Sequence, residues 1–132
     1  AVLPLHTDGT VTLVYQFRHA GGGMHYEVPA GKLDDSELPE KCARRELKEE
    51  VGLSCEKLQR LGYIHTTPGF CDELIHLFIA TGLEQGEATL EDDEYLKPVR
   101  MPFRQALEMV HNGDITDAKT MLALMLAEKH LP

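Results

Sequence analysis

Apolar and polar positions alternate along the first part of the chain. In Thr10-Val11-Thr12-Leu13-Val14-Tyr15-Gln16-Phe17 the residues Val11, Leu13, Tyr15 and Phe17 fall at every second position, the period of a strand with one buried face. A shorter apolar run, Val2 to Leu5, precedes it, and His6-Thr7-Asp8-Gly9 lies between, so the two runs predict a β-hairpin turning at Asp-Gly. Arg18 closes the second strand, His19 to Gly23 is a flexible loop, and His25 to Ala30 is a short strand. The period then changes. Leu38, Cys42, Leu47 and Val51, with Ala43 beside them, recur at helical steps and predict an amphipathic helix whose stripe packs inward, with Gly52 ending it in a left-handed conformation. Strand patterning returns at Leu58 to His65, with Leu61 and Ile64 inward, and at Leu74 to Ala80; the turn Thr66-Thr67-Pro68-Gly69-Phe70 separates them.

Beyond an acidic loop from Glu84 to Glu94, two helices are expected. Phe103, Ala106, Leu107 and Val110 share one side of the first, which Gly113 stops; Asp114 or Thr116 caps the second, with Ala118, Met121, Leu122, Met125 and Leu126 as its buried face. Strands, a helix, more strands and more helices predict a mixed α/β domain spanning residues 1–132, with a central mixed sheet covered by helices on both faces.

Charge narrows the partners. Thirteen Lys and Arg stand against 22 Asp and Glu, a net charge of −9, so no basic surface can dominate and neither nucleic acid nor an anionic membrane is an expected partner. No apolar run approaches the length of a membrane span. Cys42, Cys55 and Cys71 have no metal-like spacing and read as reduced, buried thiols of a cytoplasmic protein. The chain begins at Ala1, which leaves room for a segment upstream.

The chemistry concentrates on the first helix. Glu46 and Glu50 are four residues apart and share a face, and Glu49 sits beside both. Like charges so placed repel, and a divalent cation relieves that repulsion; clustered carboxylates are the hard-oxygen ligands of Mg²⁺ or Mn²⁺. Arg45, four residues before Glu49, is spaced for an ion pair with it. A solvated polar face is the alternative reading of such a helix.

Gly31, five residues, Glu37, seven residues, then Arg45-Glu46-Leu47-x-Glu49-Glu50-x-Gly52-Leu53 resembles the Nudix box at every signature position. The resemblance to Nudix hydrolases implies an α/β/α sandwich and Mg²⁺-dependent hydrolysis of a nucleoside diphosphate linked to another group. It implies that the carbonyl oxygen of Ala30 joins Glu46, Glu49 and Glu50 as a metal ligand, that Arg45 orients Glu49, and that Glu37 ties the loop to the helix. Outside the box, Gln16-Phe17-Arg18, the approach Glu27-Val28-Pro29-Ala30-Gly31-Lys32, Pro68-Gly69 with Glu73 behind it, and Asp117-Ala118-Lys119-Thr120 are similar to the ADP-ribose pyrophosphatase branch.

That branch implies a nucleotide sugar as small-molecule substrate, ADP-ribose giving AMP and ribose 5-phosphate, with Arg18, Glu27, Pro68, Gly69 and Glu73 as substrate-binding residues. It implies a general base on the mobile acidic loop, Glu94, with Glu91, Asp92 and Asp93 as alternatives and Glu49 behind them. It also implies a homodimer, although many members build theirs with an N-terminal segment and this chain has little before Val2. Another nucleoside diphosphate sugar or an oxidised nucleoside triphosphate is the alternative substrate. A catalytically idle binding module is the alternative class; such modules usually lose box glutamates, and this chain keeps them.

Overall fold

The computed structural model describes residues 1–92 and 95–131. Six strands and three helices follow in the order β1 (Val2–Pro4), β2 (Thr10–Arg18), β3 (Gly23–Glu27), α1 (Pro39–Val51), β4 (Leu53–His65), β5 (Leu74–Gln85), β6 (Leu96–Pro102), α2 (Phe103–Asn112) and α3 (Ala118–Ala127), with a 3₁₀ turn at Glu128–His130. They form two sheets of three strands. One is mixed, in the order β1-β5-β4, with β1 parallel to β5 and β4 antiparallel to it; the other is antiparallel, in the order β3-β2-β6.

Alternation along the strands divides the interior into two layers. Val2, Val14, Phe78 and Ala80 turn towards Leu47 and Val51 of α1. Their sequence neighbours Leu3, Leu13 and Ile79 turn the other way, against Phe103 of α2 and Leu124 of α3. Adjacent strand residues point to opposite faces, so this split is what a sheet layer between helices requires. Together the two sheets and three helices make the α/β/α sandwich expected from the resemblance.

Several local expectations change. The turn at Asp8-Gly9 exists, with Gly9 at φ 79°, but β1 does not continue as its hairpin partner. Among the described residues a single Leu5–Val11 bridge joins the two runs, and β1 lies parallel to β5, where Val2 and Leu3 are fully buried. A two-stranded ribbon leaves one face wet, so the deeper burial wins. Pro98 and Pro102 break the alternation of β6, so the sequence pattern does not show this strand. Among the described residues it is an edge strand that pairs with β2 alone, a place where proline is tolerated.

In α1, Cys42, Ala43, Leu47 and Val51 are buried as expected and Gly52 takes φ 69°, but Leu38 is 59% exposed. It is the residue before the helix, with an extended backbone, so the helical period does not reach it. In α3 the cap is Asp117, whose carboxylate accepts from Thr120 N, and not Asp114 or Thr116. Moving the start moves the face. Thr120, Ala123, Leu124 and Ala127 are buried, Met121 is half-buried, and Ala118, Leu122, Met125 and Leu126 are exposed. All three cysteines are free, but only Cys42 is buried.

Candidate active site

The glycine loop and α1 meet where Gly31 passes over Glu46. A Cβ on residue 31 would collide with the Glu46 carboxylate, so only glycine lets the loop lie this close. Ala30 N donates to Glu50 Oε2 at 3.1 Å, which draws the Ala30 peptide against the same helix. Glu46 and Glu50 are therefore 7% and 5% exposed, in place of the solvent-facing pair expected of an amphipathic helix. Glu49 lies further out and is half-buried.

Arg45 organises the carboxylates. Its Nε and one terminal nitrogen donate to the two oxygens of Glu37, both at 2.9 Å, and the other terminal nitrogen donates to Glu46 at 2.7 Å and Glu49 at 3.1 Å. The expected pair with Glu49 is present, and Glu37 also accepts from Asp34 N at 3.1 Å, which ties the loop to the helix. Hydrogen bonds from Arg45 hold the Glu37 carboxyl down at about 2, and the surrounding carboxylates raise the guanidinium well above its ordinary value. Among the described residues no three acidic, imidazole or thiol side chains converge as a ready-made metal site. Glu46 and Glu49 are drawn together by Arg45, while Glu50 turns to the Ala30 amide. The donor set is nevertheless right for a hard divalent cation: carboxylate oxygens from one helix, beside a backbone segment held close by a glycine.

A cleft of about 690 Å³ opens beside this cluster. Ala30 and Gly31, the cations Arg18 and Lys119, and Thr66 with Glu73 line it. Pro68 and Gly69 sit on an exposed turn and do not. Glu27 lies 2% exposed beneath the cations: Arg18 donates to both its oxygens at 2.8 and 2.9 Å, and Lys119 Nζ approaches to 2.7 Å. Burial alone would push the Glu27 pKa up; the hydrogen bonds from Arg18 and Lys119 overcome that and hold it at about 2. Of the acidic loop, Glu91 and Asp92 are exposed and outside the cleft lining, whereas Asp93 and Glu94, the first choice as base, lie outside the described residues.

The sequence marks Lys119 only through the tetrapeptide Asp117-Ala118-Lys119-Thr120, which gives it no role. Its partner Glu27 is 92 residues away, so no local pattern shows the pair. Thr66 falls within the turn sequence Thr66 to Phe70, and nothing local there signals a cleft residue.

Fold and site together define a class, the α/β/α hydrolases that carry a glycine loop and a carboxylate helix. A family model described as NUDIX domain matches residues 1–124, and the chain belongs to that family. It is 37% identical over 126 residues to an ADP-ribose pyrophosphatase of Bacillus subtilis (strain 168), covering 94% of this chain and 68% of that protein. It is 40% identical over 135 residues to a GDP-mannose pyrophosphatase of Salmonella typhimurium, covering 95% and 70%. A solved structure of an ADP compounds hydrolase superimposes with a TM-score of 0.85 at 25% identity, covering 98% of this chain and 71% of that one. The chain is an enzyme, a Nudix hydrolase. Nudix hydrolases generally need a divalent metal, typically Mg²⁺.

Proposed function

We propose that this chain hydrolyses the pyrophosphate bond of a nucleoside diphosphate sugar in the presence of Mg²⁺ or Mn²⁺, with ADP-ribose giving AMP and ribose 5-phosphate. The observation that carries the reading is the junction of two features: the Glu46, Glu49 and Glu50 carboxylates against the Ala30-Gly31 backbone, and a cation-lined cleft opening beside that backbone. Glu46, Glu49, Glu50 and the Ala30 carbonyl would hold the metal. When bound, a divalent cation neutralises phosphoryl charge and lowers the pKa of water.

The chain's own residues do the rest. Arg45 draws Glu46 and Glu49 to one side of α1. Arg18 holds a phosphate or the terminal ribose, with Glu27 fixing its plane, and Glu73, which lines the same cleft, joins it in binding substrate. Pro68 and Gly69 shape the turn that brings Glu73 there. Glu94 takes the proton of the attacking water, with Glu91, Asp92, Asp93 and Glu49 as the other candidates for that role. The homodimer expected from the resemblance and a cytoplasmic location, which the free thiols favour, complete the reading. Among the described residues no helix is long and apolar enough to cross a membrane.

A second substrate is favoured by a specific finding, the 40% identity to a GDP-mannose pyrophosphatase. Comparing kcat/KM for ADP-ribose, ADP-glucose, GDP-mannose and dGTP, with Mg²⁺ and with EDTA, decides between them. The proposal expects turnover only with metal and the highest value for ADP-ribose. A preference for GDP-mannose moves the assignment to the second substrate, and a preference for dGTP, or turnover undiminished in EDTA, overturns it.

A further inference from the structure

Two cations share the single carboxylate of Glu27, and both line the cleft. Their surroundings differ. The Arg18 side chain is 51% exposed, whereas that of Lys119 is 13% exposed and Glu27 only 2%. Arg18 uses Nε and one terminal nitrogen on Glu27, a two-point contact that fixes the plane of the guanidinium. Lys119 takes Glu27 Oε2, the oxygen that also accepts from that terminal nitrogen, and Asp117 Oδ1 at 2.9 Å. Asp117 is itself immobilised as the cap of α3, accepting from Thr120 N and from Thr120 Oγ1. Thr120, fully buried, in turn accepts from Val28 N at 2.9 Å. The first turn of α3 thus grips the end of β3 at two successive residues, Glu27 by charge and Val28 through its backbone.

We propose that Lys119 is a positioning residue for Arg18: by holding Glu27 from α3, it aims the guanidinium at the diphosphate of a nucleotide sugar in the cleft. The inference rests on the reading of Arg18 as a phosphate-holding side chain. Without the ammonium, Arg18 is the cation left at Glu27 among the described residues, and the buried carboxylate competes with substrate phosphate for the same guanidinium. With the ammonium in place, part of the Glu27 charge is already met, and Arg18 keeps its orientation while its exposed side stays open to an anion. Substrate capture depends on this arrangement, and the chemical step, carried by groups on α1 and the acidic loop, does not.

A double-mutant cycle on Lys119 and Arg18 tests this, with ADP-ribose as the probe, KM and kcat measured with Mg²⁺, and the dissociation constant measured by calorimetry in EDTA. Lys119→Met is expected to raise KM and the dissociation constant on the order of ten- to a hundredfold, the scale of one hydrogen bond to a charged group, with kcat little changed. Lys119→Arg, which can bridge Glu27 and Asp117, is expected to restore most of the loss. In an Arg18→Ala background Lys119→Met should add nothing further.

If Lys119→Met is poorly folded by far-UV circular dichroism, Lys119→Gln replaces it under the same expectations. An unchanged KM, an equal added rise in the Arg18→Ala background, or a fall in melting temperature with kcat reduced and KM unmoved overturns the positioning role. The single variant Arg18→Ala reports separately on the reading beneath it: a wild-type KM there removes Arg18 from phosphate binding, whatever the Lys119 variants do.

Discussion

Replacing Glu27 by Gln should destabilise the fold in a way that fades as the medium is acidified. The folded carboxyl is held at about 2 against an ordinary 4.5. A difference of roughly 2.5 units, at about 1.4 kcal/mol each, gives about 3.5 kcal/mol of coupling between this carboxylate and its surroundings. Not all of it is lost in the variant. Arg18, half in solvent, can turn to water, and Lys119 retains Asp117, so a loss of about 2 kcal/mol is expected at pH 7. For a domain of this size that is a fall in melting temperature of roughly 6–8 °C. The sign of the pH dependence follows from the direction of the shift. A depressed carboxyl pKa contributes stability that is fully present above about 4.5 and is lost as pH falls towards 2. The gap between wild type and variant should be flat from pH 6 to 8, narrow below about 4.5 and be more than half closed by pH 3. Urea unfolding followed by far-UV circular dichroism across that range measures it; the chain has 4 tyrosines and no tryptophan, so fluorescence is the weaker probe. A gap under about 1 kcal/mol at pH 7, or one that persists undiminished at pH 3, would refute the assignment of Glu27 as the ionised centre of this network.

Glu46→Gln and Glu50→Gln should each reduce Mg²⁺-dependent kcat by at least about two orders of magnitude, since a lost ligand removes several kcal/mol of charge stabilisation; wild-type turnover in either, correctly folded, sinks the metal assignment. Both carboxylates are buried, so these variants should also show shifted melting temperatures, which a solvent-facing pair would not. Gly31→Ala should lower kcat by displacing the Glu46 carboxylate, because Arg45 pins that group at 2.7 Å and leaves it little room to yield; unchanged kinetics would show that the loop gives way instead. Glu94→Gln should lower kcat by about two to four orders of magnitude with KM nearly constant, the usual contribution of a general base. Parallel Gln or Asn variants at Glu91, Asp92 and Asp93 identify the base if it is one of them, and if none of the four slows the chemical step tenfold, Glu49 becomes the leading candidate.

What could be read from the chain ahead of its fold was local. The box helix announces itself because its carboxylates, its Arg45 and its apolar stripe all lie within one period of each other, and the i, i+4 pairing of Arg45 with Glu49 follows from helix geometry alone. Gly52 and Gly113 mark helix ends for the same reason: the left-handed residue is dictated by its own backbone. The expectations that failed needed knowledge of a distant partner. Val2 to Pro4 looked like half of a hairpin, but the choice between Val11 to Arg18 and β5 is settled by how deeply Val2 and Leu3 can be buried, and β5 lies more than seventy residues on. The face of α3 was misassigned because the helix is apolar almost all round, so its sequence offers several stripes. The cap at Asp117 selects the one carrying Thr120, and Asp117 is held in turn by Lys119, which Glu27 holds from β3.

The site divides along the same line. The half on α1 is spelled out within the box. The half proposed to meet a substrate's phosphates is assembled from β2, β3 and α3, and its centre is a carboxylate that two cations reach from opposite ends of the chain. Such a centre has a consequence for how substrate preference can change between relatives. If Arg18 is aimed as proposed, substitutions on α3 or β2 re-aim it without touching the carboxylate helix, and the chemistry stays fixed while the group beyond the diphosphate varies. That is consistent with this chain's having, at 37% and 40% identity, relatives described by two different nucleotide sugars.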